Sequence, residues 1–129
     1  MRTLADFENY RKRVERERAK VTQAGKREII LSMLEAVDGF DRALPYLEDA
    51  SPALAEGVWA IHRKLLGHLE AHGVTPFESQ GRTFDPAMHE AVGVVEGSQF
   101  APGTVAEELQ RGYRWDNELL RPARVRVAQ

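Results

Sequence analysis

Phe7, Tyr10, Val14, Val21 and Ala24 fall on the a and d positions of a heptad repeat, and Glu17 is the one polar residue in that seam. Charges crowd around it: Arg11, Lys12, Arg13, Glu15, Arg16, Arg18 and Lys20. A seam this narrow and thinly apolar cannot hold a helix in water alone, so the segment must pair with another helix. Thr3 followed by Asp6 reads as a capping box that starts it, with Asp in place of the usual longer Glu or Gln. From Ile30 the stripe widens through Leu31, Met33, Leu34, Val37, Phe40 and Leu44, the broad face of a bundle helix. Pro45 lacks an amide donor and disfavours helical geometry at Leu44, which predicts an end or a kink there. Ser51-Pro52 reads as the N-cap and first position of a second helix carrying Leu54, Val58, Ile61, Leu65 and Leu69. Gly73 closes it, with His72 in the last turn.

Past Gly73 the texture changes. Pro76, Gly81, Pro86, Gly93, Gly97, Pro102, Gly103, Gly112 and Pro122 punctuate short β-prone runs. Ala91 to Val95 reads as a short buried run, and Pro102-Gly103 as the centre of a type II turn. Ala123, Val125 and Val127 alternate with Arg124 and Arg126, the pattern of a half-buried strand with a basic outer face. The expected fold is α+β. Residues 1–73 form a paired long helix and a helical hairpin, and residues 74–129 form a small all-β domain that leans on the helices or on a partner. The apolar faces from Ile30 to Leu44 and from Leu54 to Leu69 exceed what one hairpin hides. They predict an obligate dimer through a four-helix bundle, its interface built from Ile30, Met33, Leu34, Val37, Phe40, Leu54, Val58, Ile61, Leu65 and Leu69.

Composition narrows the function. A net charge of −2 supplies no global basic field for nucleic acid or an anionic membrane. The absence of cysteine excludes disulfides, thiol catalysis and thiolate zinc sites. No apolar run approaches the roughly 20 residues of a membrane helix, and the N-terminus lacks a signal region, so a soluble cytoplasmic protein is expected. His68 and His72 have a helical metal spacing but no evident third ligand. His89-Glu90 near Asp85 has no nucleophile or oxyanion loop beside it and reads as a histidine packed at a strand start. P-loop and dinucleotide motifs are missing, so neither an enzyme nor a bound cofactor is expected. The basic run from Arg11 to Lys20 is interleaved with Glu15 and Glu17, which leaves two readings open, a solvated flank or a protein-binding face.

A series of separate motifs then resembles the GrpE family of co-chaperones. Its members appear in the second half as Phe84-Asp85-Pro86-Ala87-Met88-His89-Glu90-Ala91-Val92, Pro102-Gly103-Thr104-Val105, Gln110-Arg111-Gly112-Tyr113 and Leu120-Arg121-Pro122-Ala123-x-Val125-x-Val127. Upstream stand Phe7-Glu8-Asn9-Tyr10-Arg11-Lys12-Arg13 and Asp38-Gly39-Phe40-Asp41-Arg42-Ala43-Leu44. The likeness runs from about Ala5 to Ala128 and reads as an N-terminally short member. It implies a parallel homodimer that serves stress response and protein folding as a nucleotide exchange factor. The implied partner is the nucleotide-binding domain of a DnaK-type chaperone, with no membrane or nucleic acid involved. Carried over by position, the implied chaperone contacts are Arg11, Lys12 and Lys20 on the helix, Phe84, Asp85, Pro86 and His89 on a loop, and Leu109, Gln110, Gly112 and Tyr113 on a strand and turn. Phe84, Leu109 and Tyr113 equally fit a β core, and Gly112 equally fits a simple turn. Arg121 reads as structural, paired within the β domain. Two departures stand out: Pro45 interrupts a stretch that the family often keeps helical, and Glu118 replaces a residue that is often basic. The alternative is a coiled-coil dimerisation module for an unrelated protein or RNA.

Overall fold

The computed structural model describes residues 3–129. Two helices, α1 (Leu4–Ala50) and α2 (Pro52–Ala71), precede six strands, β1 (Val74–Pro76), β2 (His89–Val95), β3 (Val105–Gln110), β4 (Tyr113–Trp115), β5 (Glu118–Arg121) and β6 (Ala123–Ala128). The chain is therefore α+β. It divides into two compact units, one up to Val37 and one from Asp38 to Gln129. The second unit thus groups the end of α1 and all of α2 with the strands.

In the first unit α1 opens on a reciprocal capping box. The Thr3 amide donates to Asp6 Oδ2 and the Asp6 amide donates to Thr3 Oγ1, both at 3.2 Å. The shorter aspartate is thus long enough for the motif. Phe7, Tyr10 and Val21 stay exposed along the heptad seam, whereas Leu34 and Val37 are fully buried.

In the second unit α1 does not end at Pro45 as its chemistry suggests; the helix runs through it to Ala50. A proline inside a helix forfeits one ladder hydrogen bond and costs about 3 kcal/mol. Contacts around it offset this. Leu44 beside the proline is buried, which contributes about 2 kcal/mol. Past the proline, the Ser51 amide donates to the Leu47 carbonyl at 2.8 Å, and Trp59 Nε1 of α2 donates to Glu48. Asp41, one turn before the proline, meets buried His62 of α2, Nε2 to Oδ1 at 2.8 Å. Ser51 caps α2 by accepting from the Leu54 amide, with Pro52 next. Gly73 turns the chain out of the helix at φ +84, where a Cβ would sit 2.1 Å from Asp116 Oδ1.

The strands form two three-stranded sheets, β1-β4-β5 and β2-β6-β3. The first is antiparallel throughout. In the second, β6 lies in the middle, parallel to β2 and antiparallel to β3. Pro122 alone separates β5 from β6, at the point where the chain leaves one sheet for the other. A residue without an amide donor suits that gap between ladders. Val105, Ala123 and Val125 form the buried centre, with Phe77, Phe84 and Val127 packed on it. Arg124 and Arg126 face outward as their alternation requires, and Arg126 reaches Glu107 at 3.0 Å. The turn at Pro102-Gly103 also forms, with Gly103 at φ +86 and the Thr104 amide donating to the Ala101 carbonyl at 3.1 Å. The run from Ala91 to Val95 departs from expectation. It belongs to β2, an edge strand, and Ala91, Val92 and Val94 are exposed. An apolar run alone does not distinguish a central strand from an edge.

One ion pair joins α1 to the strands within the second unit. Arg121 Nη1 and Nη2 donate to Asp38 Oδ2 and Oδ1 at 2.8 and 2.7 Å, and both side chains are about nine-tenths buried. Arg121 Nε donates to the Arg111 carbonyl at 2.9 Å, and Gln110 Nε2 donates to Asp38 Oδ2 at 3.3 Å. Arg121 is structural, as expected, but its charge partner lies on α1 rather than within the β domain. Removing one member of a buried, hydrogen-bonded pair strands the other charge away from water. Asp38→Ala and Arg121→Ala are each expected to lower stability by about 3–5 kcal/mol, and the double variant by well under their sum, measured by urea unfolding.

The ring of Tyr113 lies under the Arg121 guanidinium at 5.2 Å, and the residue is 0% exposed. Its hydroxyl meets no hydrogen-bond partner among the described residues. Burial pushes that hydroxyl from 10.0 up to about 12, and the Asp41 carboxylate adds to the rise. The unfolded chain therefore ionises first. Stability from this group is whole below pH 10.0 and falls as pH climbs towards about 12, by roughly 3 kcal/mol in all. Tyr113→Phe should stay within about 1 kcal/mol of the parent at neutral pH and lose that alkaline decline. Unfolding midpoints of both proteins near pH 8 and near pH 11 test it.

Candidate functional site

The loop between β1 and β2 is shaped by its own side chains. Asp85 Oδ1 accepts from the Ala87 amide at 2.9 Å, which fixes an Asx turn through Pro86. The Asp85 carbonyl accepts the amides of Met88 and His89 at 3.0 and 2.8 Å. His89 returns the contact: its Nδ1 accepts the Asp85 amide at 3.0 Å. His89 is buried at the first residue of β2, its ring 5.9 Å from Phe84 and 6.3 Å from Phe77. It is a packed histidine at a strand start, and it ties the loop to the core. Phe84 is half-buried over Val105, Ala123 and Val125, while Asp85 and Pro86 lie exposed at the surface.

Gly112 has a reason that its motif does not disclose. A Cβ there would meet Phe77 Cζ at 2.2 Å and the Ala123 backbone nitrogen at 2.8 Å. Its φ is not positive, so close approach of ring and backbone requires the glycine rather than a special turn. The Gly112 carbonyl also accepts the Phe77 amide at 3.2 Å.

The expected contact residues therefore fall into distinct groups. Phe84, Asp85, Pro86 and His89 form one local assembly, and Phe77 connects it to Gly112. Gln110 and Tyr113 belong to a second, around the Asp38–Arg121 pair. Leu109, beside the second group, is 50% exposed. It borders a crevice of about 380 Å³ together with Trp59, Arg42, Asp41, Gln110 and Arg124. Arg11, Lys12 and Lys20 are exposed on α1 in the first unit, where Arg11 reaches Glu15 at 3.9 Å. His89, Gly112 and Tyr113 are interior, so they shape a surface rather than offer one.

Asp38 and Phe77 escape reading from the sequence. Asp38 carries one signal: a carboxylate between Val37 and Phe40, inside an apolar stripe, is expensive unless paired. Nothing in the pattern says that its partner is Arg121, 83 residues along the chain. His68 and His72 are both exposed at the end of α2. Among the described residues no three His, Asp or Glu side chains converge as metal ligands, and no helix is long and apolar enough to cross a membrane.

Comparison with known proteins bears on the whole chain. The profile of the GrpE family matches residues 1–129. A Protein GrpE of Parageobacillus thermoglucosidasius is 37% identical over 131 residues, covering 100% of this chain and 58% of that protein. A Protein GrpE of Protochlamydia amoebophila is 37% identical over 132 residues, covering 100% and 63%. A Protein GrpE of Bacillus pumilus is 39% identical over 131 residues, covering 100% and 71%. The chain thus spans about three-fifths of the length of several of these relatives. A family match over residues 1–129, with relatives at this identity covering the whole chain, makes the chain a member of the GrpE family.

Proposed function

We propose that this protein is a nucleotide exchange factor that, as a homodimer in the cytoplasm, binds the nucleotide-binding domain of a DnaK-type chaperone and promotes ADP release. The observation that carries this reading is the family match over residues 1–129. Exchange of this kind needs no reacting group. A partner that binds the open, ADP-poor form of a chaperone more tightly must weaken ADP by the same factor that ADP weakens the partner. Chemistry is left to the chaperone; this protein supplies differential binding.

The proposed contacts are apolar in the second unit and charged in the first. Leu109 and the rim of Phe84 are the apolar anchors, Asp85 and Pro86 present the loop, and Arg11, Lys12 and Lys20 supply charge along α1. His89, Gln110, Gly112 and Tyr113 act by holding the loop and strands in place. Apolar anchors carry most interface energy, whereas rim charges govern encounter. Leu109→Ala removes an exposed side chain and should change stability by no more than about 0.5 kcal/mol. It should weaken chaperone binding by about 1–3 kcal/mol. The test is stopped-flow release of fluorescent ADP from a DnaK chaperone. Full activity of the variant refutes the surface, and failure of the parent to accelerate release refutes the function.

The dimer reading rests on apolar side chains left uncovered in the single chain. On α2, Leu54 and Ile61 are 58% and 60% exposed on one face, and on α1 Ile29 and Met33 are exposed a turn apart. Water contact over such stripes is relieved by a second hairpin in a four-helix bundle. Sedimentation at micromolar concentration should find a dimer, and Leu54→Glu with Ile61→Glu should give monomers or unfolded chains. A folded monomeric parent refutes this assembly.

A further inference from the structure

Arg114 is a half-buried cation with a poor set of partners. Its Nη2 donates to Met88 Sδ at 3.5 Å, and its guanidinium lies 5.7 Å from the centre of the Phe77 ring. It has no carboxylate partner among the described residues. A thioether is a weak acceptor, so donors that a carboxylate or a carbonyl would engage are under-used at this point. The backbone of Met88 is fixed on both sides: its amide donates to the Asp85 carbonyl and its carbonyl accepts the Ala123 amide, each at 3.0 Å. Met88 is itself half-buried, between exposed Ala87 and buried His89.

Oxidation changes the acceptor. The chain has no cysteine, so methionine is the sulfur that a peroxide meets. A sulfur lone pair attacks one oxygen of hydrogen peroxide, and the O–O bond breaks. The departing hydroxide takes up the proton left on the transferred oxygen and leaves as water. Sulfur loses two electrons, the peroxide gains them, and the thioether becomes a sulfoxide. The new oxygen sits one bond from the sulfur that Arg114 already reaches, and it is a strong acceptor. A weak contact thus becomes a charge-assisted hydrogen bond.

We propose that Met88 is a reversible oxidation site for peroxides, at which Arg114 receives the sulfoxide oxygen. On the exchange-factor reading above, on which this part rests, the modification regulates the loop that carries Phe84, Asp85 and Pro86. The oxidised side chain is polar and has to be desolvated when a partner docks on that loop, which weakens docking. Reduction of the sulfoxide restores the thioether.

Hydrogen peroxide applied to the folded protein, followed by mass measurement of its peptides, tests the site. Met88 should gain one oxygen at no less than about one-tenth of its rate in urea. Stronger protection means a shielded sulfur and overturns the proposal. Arg114→Leu removes the donors, and dichroism before treatment checks that it folds; Arg114→Met serves in its place if it does not. Oxidation should lower the urea midpoint of this variant at least about twice as far as that of the parent. Equal losses overturn the assignment of Arg114. With the peroxide removed, the oxidised parent should accelerate ADP release from an untreated DnaK chaperone at least about threefold less than the reduced parent. Met88→Leu should keep its own rate through the same treatment. Equal rates for oxidised and reduced parent overturn the regulation. Failure of the reduced parent to accelerate release refutes the exchange-factor reading instead, while oxygen uptake and its Arg114 dependence are read without the chaperone.

Discussion

An aspartate and an arginine buried together force several other features of the Asp38–Gln129 unit. Two charges so far from water are tolerable only when they are paired with each other and hydrogen-bonded. Arg121 meets this with both terminal nitrogens on Asp38 and its Nε on the Arg111 carbonyl. Arg111 must therefore present its backbone inward, just before Gly112 passes between Phe77 and Ala123. Tyr113 then stacks beneath the guanidinium, with its ring excluded from solvent. The strands are thus tied to one turn of α1 as well as to the end of α2, and residues 110–113 serve the ion pair as well as the sheet.

Local chemistry was legible in the sequence, and long-range chemistry was not. The Thr3–Asp6 box, the Ser51 cap, the Gly73 exit and the Pro102-Gly103 turn each depend on atoms a few residues apart, so the residue types nearly dictate the geometry. Pro45 shows the limit of that logic, since its local preference yields to contacts that α1 makes with α2. Ala91 to Val95 shows another: edge or centre depends on which strand arrives last, not on the run itself. At the candidate site, the motifs name the residues but not which of them are interior. Tyr113 and Gly112 are interior, Leu109 is open, and only burial separates them.

The proposed function is a difference of affinities, and a loop built this way suits it. The loop from Phe84 to His89 is held by an Asx turn, by carbonyl contacts and by the imidazole beneath it. Little conformational freedom remains to be lost when a partner docks, which favours affinity by preorganisation. A rigid face also discriminates sharply between two shapes of the same partner, because it cannot follow the wrong one.

The position of β6 has a consequence for how the sheet comes into being. Strands β2 and β3 are not neighbours; each pairs with β6, which follows both in the chain. Emerging from a ribosome, β2 and β3 have no ladder to join and must wait with their apolar faces uncovered. The α2 helix and the β1, β4 and β5 sheet precede β6 in the chain, and they can order first. Translation time therefore separates the birth of the two sheets, and the final ordering joins residues far apart in sequence, which is the slow kind of closure. Until β6 is made, the β2-β6-β3 sheet lacks its central strand.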